Sequence, residues 1–205
     1  TGKMCWFHLA MLFFSVCVFF VMLTKKGTVI AFTFSDPLVL FFAGGVLITY
    51  KWNLNPEPEK LIFAGQLVIL WFLLRYVLTA YREFKFFFLF VLMFTGLIEA
   101  VWGMQQLHGY SHSNHSLFRL TGSFFNPGPY SGYIAVILPV CLWTALRFQK
   151  GMHYFAWICV GAILIVLPAG MSRSAWIAAV VACGWVYWTE RIGWEKTKAV
   201  YRRYK

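Results

Sequence analysis

Long apolar runs alternate with short polar breaks along this chain, and the runs have the length that crosses a bilayer as helix, about 20 residues. The first is Met4 to Leu23, closed by Lys25 and Lys26. Asp36-Pro37 reads as a helix cap followed by proline at the first helical position, opening a second helix that runs to Trp52 behind a membrane-lying lead-in over 29–34. The turn NLNPEPEK, 53–60, precedes a third run, Leu61 to Thr79, with Arg75 near its end positioned to snorkel to the interface. A charged connection, Tyr81 to Lys85, leads into the fourth run, Phe86 to Leu107. A polar stretch over 108–129 breaks the pattern. The fifth run is Tyr130 to Phe148, the sixth His153 to Ala169 and the seventh Ser174 to Thr189, with a basic tail over 190–205. Unpaired backbone groups cannot face lipid, and the runs are too long for barrel strands. The pattern therefore predicts an all-α, polytopic membrane helical bundle of about seven transmembrane helices, forming a single membrane domain over 1–205.

Composition removes the aqueous alternative. The chain is 60% hydrophobic and 12% charged, where a soluble domain carries about 25% charged residues. It lacks the polar surface to cover itself in water. The net charge of +11 would suit nucleic acid, but the cations gather at the ends of the runs rather than along an aromatic-studded face, so no nucleic acid partner is expected. Their distribution sets orientation instead. Lys25, Lys26, Arg82, Lys85, Arg147, Lys150 and the tail cations fall on one side, predicted to be cytoplasmic; Lys3, Lys51, Lys60, Arg119 and Arg173 fall on the other. Trp188, Trp194 and Tyr201 interleave with the tail cations, as in an interfacial anchor on an anionic leaflet or a generic positive flank. Cys5, Cys17, Cys141, Cys159 and Cys183 all lie in or beside apolar runs without Cys-x-x-Cys spacing, and read as small buried hydrophobes.

Candidate chemistry concentrates on the outer side. Arg173, in GMSRSAW, stands between two apolar runs with almost no loop, where a charge is costly unless it pairs, reaches water or binds a ligand. Ser174 is placed to cap the following helix, which would set Arg173 at the positive end of its dipole, beside Ser172, in a position suited to a phosphate. Arg119 is the one fixed charge of the 108–129 loop, and the two arginines together form a candidate diphosphate clamp. His108, His112 and His115 share the loop, but neither cysteine nor acid joins them, so no metal is assigned and solvated histidines are the default. Asn126-Pro127-Gly128-Pro129 reads as a rigid turn, with Asn126 either fixing the loop or touching substrate, and with Ser131 and Gly132 on the polar outer face of the next helix. Glu99 shares a helical face with Trp102, Gly103 and Gln106, facing the bundle interior and positioned to pair with or orient an arginine.

Two blocks in this order, RLTGSFFNPGPYSGYIAVILP at the outer start of one span and MSRSAW one span later, resemble the O-antigen ligase and polymerase superfamily of bacterial inner-membrane glycosyltransferases. The matching residues are Gly122, Ser123, Phe124, Asn126, Pro127, Gly132, Ser172, Arg173, Ala175 and Trp176, and the detailed likeness covers Ile98 to Ala179. The resemblance implies transfer of a glycan from an undecaprenyl diphosphate carrier, at the periplasmic face, to lipid A-core, another glycan or a protein hydroxyl, with no nucleotide sugar and no metal or other cofactor. It implies that Arg173, and less directly Arg119, bind the diphosphate, with Asn126 and Ser172 at the substrate. The family's essential periplasmic histidine lies in a large loop beyond the Ser-Arg span. That role is not transferred to the loop histidines here, and the chain reads as part of a longer enzyme. A transporter or flippase-like protein for an anionic lipid or solute, and a non-catalytic membrane scaffold, are the competing readings.

Overall fold

The computed structural model describes residues 2–24, 33, 35–53 and 57–203, the side chains of 3, 82 and 192–203 excepted. It contains helices α1 (Gly2–Thr24), α2 (Ser35–Trp52), α3 (Pro58–Ala80), α4 (Arg82–Leu107), α5 (Pro127–Arg147), α6 (Gly151–Val166) and α7 (Arg173–Arg203), with a 3-10 turn at Pro168–Gly170 and no strand among the described residues. Five segments are long and apolar enough to cross a membrane: Met4–Thr24, Pro58–Ala80, Glu83–Leu107, Pro127–Arg147 and Gly151–Gly170. This is a helical membrane protein. The expected second and seventh spans form helices but fall outside that set. Asp36 and Lys51 occupy the two ends of α2, and the apolar part of α7 is bounded by Arg173 and Glu190.

Several boundaries differ from expectation for local reasons. The charged connection at 81–85 shrinks to Tyr81, because α4 starts at Arg82 and carries Glu83 in its first turn, where a carboxylate suits the helix dipole. Asn126-Pro127-Gly128-Pro129 is not a free-standing turn: Asn126 is the extended cap residue and Pro127 opens α5, where its missing N–H costs nothing. The tail and the seventh run are one continuous helix to Arg203. The lysine pair 25–26, the lead-in over 29–34 except Thr33, the centre of the 53–60 turn and the tail side chains Trp194 and Tyr201 lie outside the described residues.

The chain divides into two compact units, Thr1–Phe86 and Phe87–Lys205. In the first, α1 and α3 run parallel. The His8 ring donates to Gln66 Oε1 at 2.6 Å, Phe7 packs on Phe63 at 4.9 Å, and Val18 clusters with Tyr76 and Val77. Helix α2 runs antiparallel to α3. At its start Asp36 accepts from the Thr33 N–H at 2.6 Å, so the acid reaches back to the preceding chain like the inner half of a capping box rather than standing as the cap itself. The same carboxylate is 1% exposed and takes hydrogen bonds from Trp71 Nε1, at 3.3 Å, and from Arg75. Arg75 is therefore engaged by an acid near the end of α3. Its half-buried guanidinium meets a carboxylate that would itself be costly there unpaired.

In the second unit α5 is the hub. Half of its span is buried, against 17% for Glu83–Leu107 and 39% for Gly151–Gly170. Tyr130, Ile134, Ile137 and Cys141 form one side of a core completed by Met93, Cys159, Ile163 and Ala179. Helix α7 runs parallel to α5. Near one end Ser131 bonds Gly170 at 2.8 Å; near the other Trp143 Nε1 donates to Glu190 at 3.0 Å, with Arg147 at 3.7 Å from the same carboxylate. All five cysteines are free thiols, but only Cys141 and Cys159 are buried. Cys5 and Cys17 sit on the exposed face of α1, contrary to expectation, since an apolar run in a membrane protein can face lipid as well as core.

Candidate functional site

The polar loop begins where α4 is stopped. Gly109 takes φ +80°, which a Cβ would disfavour. The Gly109 N–H bonds Gln106 O at 3.2 Å and the Tyr110 N–H bonds Gln105 O at 2.9 Å, the pair of closing bonds of a Schellman motif. The chain then folds back over the last two turns of α4, and Gln106 holds it there. Its amide is 3% exposed. Gln106 Oε1 accepts from the backbone N–H groups of Thr121, at 2.9 Å, and Gly122, at 2.7 Å, while Nε2 donates to the carbonyls of His112 and Gly122, each at 3.1 Å. One side chain thus joins both limbs of the loop.

Further bonds complete the frame. Asn114 Nδ2 donates to Gly122 O at 3.3 Å and Phe124 O at 3.1 Å. The Thr121 hydroxyl, fully buried, meets Ser113 Oγ at 3.2 Å and accepts from the Asn114 N–H at 3.3 Å. Trp102 Nε1 donates to Ser111 Oγ at 3.2 Å. Among the described residues Glu99 pairs with no arginine: its carboxylate accepts from the Ser123 N–H, at 3.0 Å, and from the Ser123 hydroxyl. The face Glu99, Trp102, Gly103 and Gln106 is therefore the surface on which the loop is built. Gly103 belongs to it by its size, because a Cβ there would collide with the Tyr130 hydroxyl and Leu120. Gly122, at φ +55°, is required twice over: a Cβ would meet Glu99 and the Tyr130 ring.

The second block is joined to the first. Ser131, expected on the outer surface, is fully buried and donates to Gly170 O. Gly170 precedes Met171, Ser172 and Arg173, and Trp176 Nε1 closes the same turn on Leu167 O at 2.8 Å. Ser172, not Ser174, holds the cap position of α7, since its carbonyl accepts the first helical bond, from the Trp176 N–H at 3.2 Å. The two serine hydroxyls lie 3.3 Å apart at the start of that helix. The early N–H groups of α7 carry the positive end of its dipole and Arg173 adds a cation in the first turn, so this terminus favours an anion.

The predicted residues fare differently. Arg119 and Arg173 are both exposed, neither guanidinium has a hydrogen bond or ion pair to another described residue, and both lie at the end of the second unit where α4 stops and α5 and α7 start. No hydrogen bond links one to the other. Asn126 is exposed and its side chain makes no cap bond; the loop is fixed by Asn114 instead. Ser172 is half-buried beside Ser174. His115 Nδ1 accepts from the Leu117 N–H at 3.0 Å and its ring packs on Phe118 and Phe125, so it shapes a turn. His112 serves through its carbonyl and His108 is exposed. No group of three His, Cys, Asp or Glu among the described residues is placed to hold a metal ion. Reading the sequence alone missed Asn114 and Thr121. Their one signal was position, an amide and a hydroxyl flanking the loop whose base carries Gln106. Compared with protein-family models, with curated proteins and with solved structures, the chain matches none of them.

Proposed function

We propose that the protein is a glycosyltransferase of the O-antigen ligase and polymerase type, moving an oligo- or polysaccharide from an undecaprenyl diphosphate carrier to lipid A-core, another glycan or a protein hydroxyl at the periplasmic face of a bacterial inner membrane. The observation that carries this reading is the Ser131–Gly170 hydrogen bond. It couples the block bearing Arg119 to the turn that presents Arg173, so two cations unpaired among the described residues share one end of a compact unit. In the transfer, the acceptor oxygen bonds to the anomeric carbon while the bond from that carbon to the phosphate oxygen breaks. The electron pair leaves on the diphosphate, and the acceptor proton passes to a base. Guanidinium groups and the α7 terminus aimed at the departing oxygens stabilise the charge that develops there. A diphosphate leaves readily once its charge is met, so a carboxylic acid on the leaving oxygen is not needed. Glu99, engaged with Ser123, is accordingly a loop anchor in this scheme.

The test is glycan transfer from a lipid-linked donor by the protein in its native membrane. Arg173→Ala should lower turnover by about 100-fold or more, the usual effect of deleting one charge-stabilising donor. Arg173→Lys should recover only part, because an ammonium lacks the planar fork that grips phosphate. Lys150→Ala, at the opposite end of α5, should leave turnover unchanged. Equal turnover by Arg173→Ala and the parent protein would reject the assignment.

A further inference from the structure

The same end of the second unit carries large apolar side chains that the fold leaves uncovered. Leu117 is 82% exposed, Phe125 66% and Met171 76%. Inside the spans such exposure means contact with lipid tails, but these three stand outside the helices. Phe125 lies two residues before α5 begins at Pro127, so no more than about 7 Å of chain separates them. Met171 follows directly on the span that ends at Gly170. Both are therefore at the depth where the chain leaves the apolar layer.

Their exposure is built in rather than accidental. The loop that presents Leu117 and Phe125 is pinned through Gln106, Asn114 and Thr121, and the His115 ring packs on Phe125 at 5.4 Å. Met171 is held at φ 55°, ψ 19°, a left-handed conformation that disfavours residues with a Cβ. Charge points the same way. The sequence has no acidic residue between Glu99 and Glu190, and the Glu99 carboxylate is taken by Ser123. Arg119 stands two residues from Leu117 and Arg173 two residues from Met171. An uncovered apolar side chain with a guanidinium two residues further on thus occurs on two separate segments at one end of the unit. That combination suits the interface of an anionic bilayer, where apolar groups sink below the headgroups and cations stay among the phosphates.

We propose that this end is a membrane seat: Leu117, Phe125 and Met171 enter the interfacial layer of an acidic phospholipid leaflet, and Arg119 and Arg173 meet its phosphates. The seat shares Arg119 and Arg173 with the proposed transfer site but rests on the exposed Leu117, Phe125 and Met171 rather than on that reaction. It fixes the depth of the loop and keeps both guanidinium groups at the level of lipid phosphates, whatever the chemistry.

The test uses vesicles containing phosphatidylglycerol and the protein in a Cys5→Ser background. Cys17 and Cys183, the other native thiols that are not buried, are replaced by serine as well, which leaves only the buried Cys141 and Cys159. Leu117→Cys, Phe125→Cys and Met171→Cys are labelled with a polarity-sensitive fluorophore, with Ser116→Cys as the exposed control. The three seat positions should be quenched several-fold more by headgroup spin-labelled lipid than the control, and less by aqueous iodide. A second measurement spares the protein any substitution: diazirine-bearing phosphatidylglycerol should crosslink to 117–125 and to 171. Uniform quenching by iodide at all four positions, with no crosslink there, overturns the seat. Equal lipid quenching in purely zwitterionic vesicles overturns the part assigned to the arginines. Transfer activity, read in the same vesicles, separates failure of the seat from failure of the proposed reaction.

Discussion

Gln106 shows how a single amide can decide the form of a loop. It satisfies two buried N–H groups and two carbonyls that have no regular structure to pair with. Gln106→Leu keeps the bulk and removes all four bonds. Leaving each of the two buried donors unmade costs about 1–3 kcal/mol, so the variant should lose about 2–6 kcal/mol in all, read as a lowered unfolding midpoint in detergent and faster proteolysis within 108–126. Gln106→Glu should not rescue it, because a carboxylate would face the carbonyls of His112 and Gly122. Gly122→Ala acts through the backbone and through contact at once. The left-handed φ alone costs an L-residue about 1–2 kcal/mol, and the added methyl would displace Tyr130 or Glu99. The same proteolysis assay should show the 108–126 loop opened in that variant too.

At the level of elements, the join between the start of α5 and the turn before α7 is the structural event that links the two sequence blocks. Ser131 and Gly170 meet so closely that a Cβ at 170 would strike the Ser131 side chain. Ser131→Ala should cost about 1 kcal/mol for the lost bond. Gly170→Ala should cost more in the parent than in the Ser131→Ala background, where the colliding oxygen is gone. Contacting residues show such coupling at about 0.5–3 kcal/mol, and a double-mutant cycle of unfolding midpoints measures it. Additive effects would mean the two segments are not in contact. The same join accounts for an error in reading the sequence. Ser131 looks like part of a polar helix face, and hydropathy cannot tell a hydroxyl turned to water from one turned to a carbonyl of the next turn.

For the whole molecule the testable matter is which ends share a side of the membrane. Since α5 and α6 each cross once, the loop before α5 and the turn after α6 emerge together, and the 148–150 turn emerges opposite. Ser116→Cys and Ser174→Cys should therefore react with an impermeant thiol reagent from one side of sealed vesicles, and Gln149→Cys from the other. Within the first unit, α1 and α3 run parallel, so a chain crossing in both has to return between them, and α2 is the antiparallel segment available. Ser35→Cys and Glu59→Cys should then label from opposite sides. Asp36 and Lys51 keep α2 below the apolarity of a free-standing span, yet Asp36 is neutralised by Arg75 against α3. A charge met by a partner no longer bars a helix from the bilayer, and averaged hydropathy has no means of registering that.

Apolar length and the scarcity of charge determined by themselves that this chain is a helical membrane protein, because lipid demands that every backbone bond close within its own segment. Periodicity also marked the face Glu99, Trp102, Gly103 and Gln106, since a helix imposes that spacing whatever surrounds it. Tertiary structure alone decided what the face is for. Glu99 takes Ser123 rather than an arginine, Arg75 pairs with Asp36, Asn114 does the work expected of Asn126, and Ser172 takes the cap expected of Ser174. In each case the residue type set which bonds were available, and the partner was chosen by which backbone groups the packed helices left unpaired nearby.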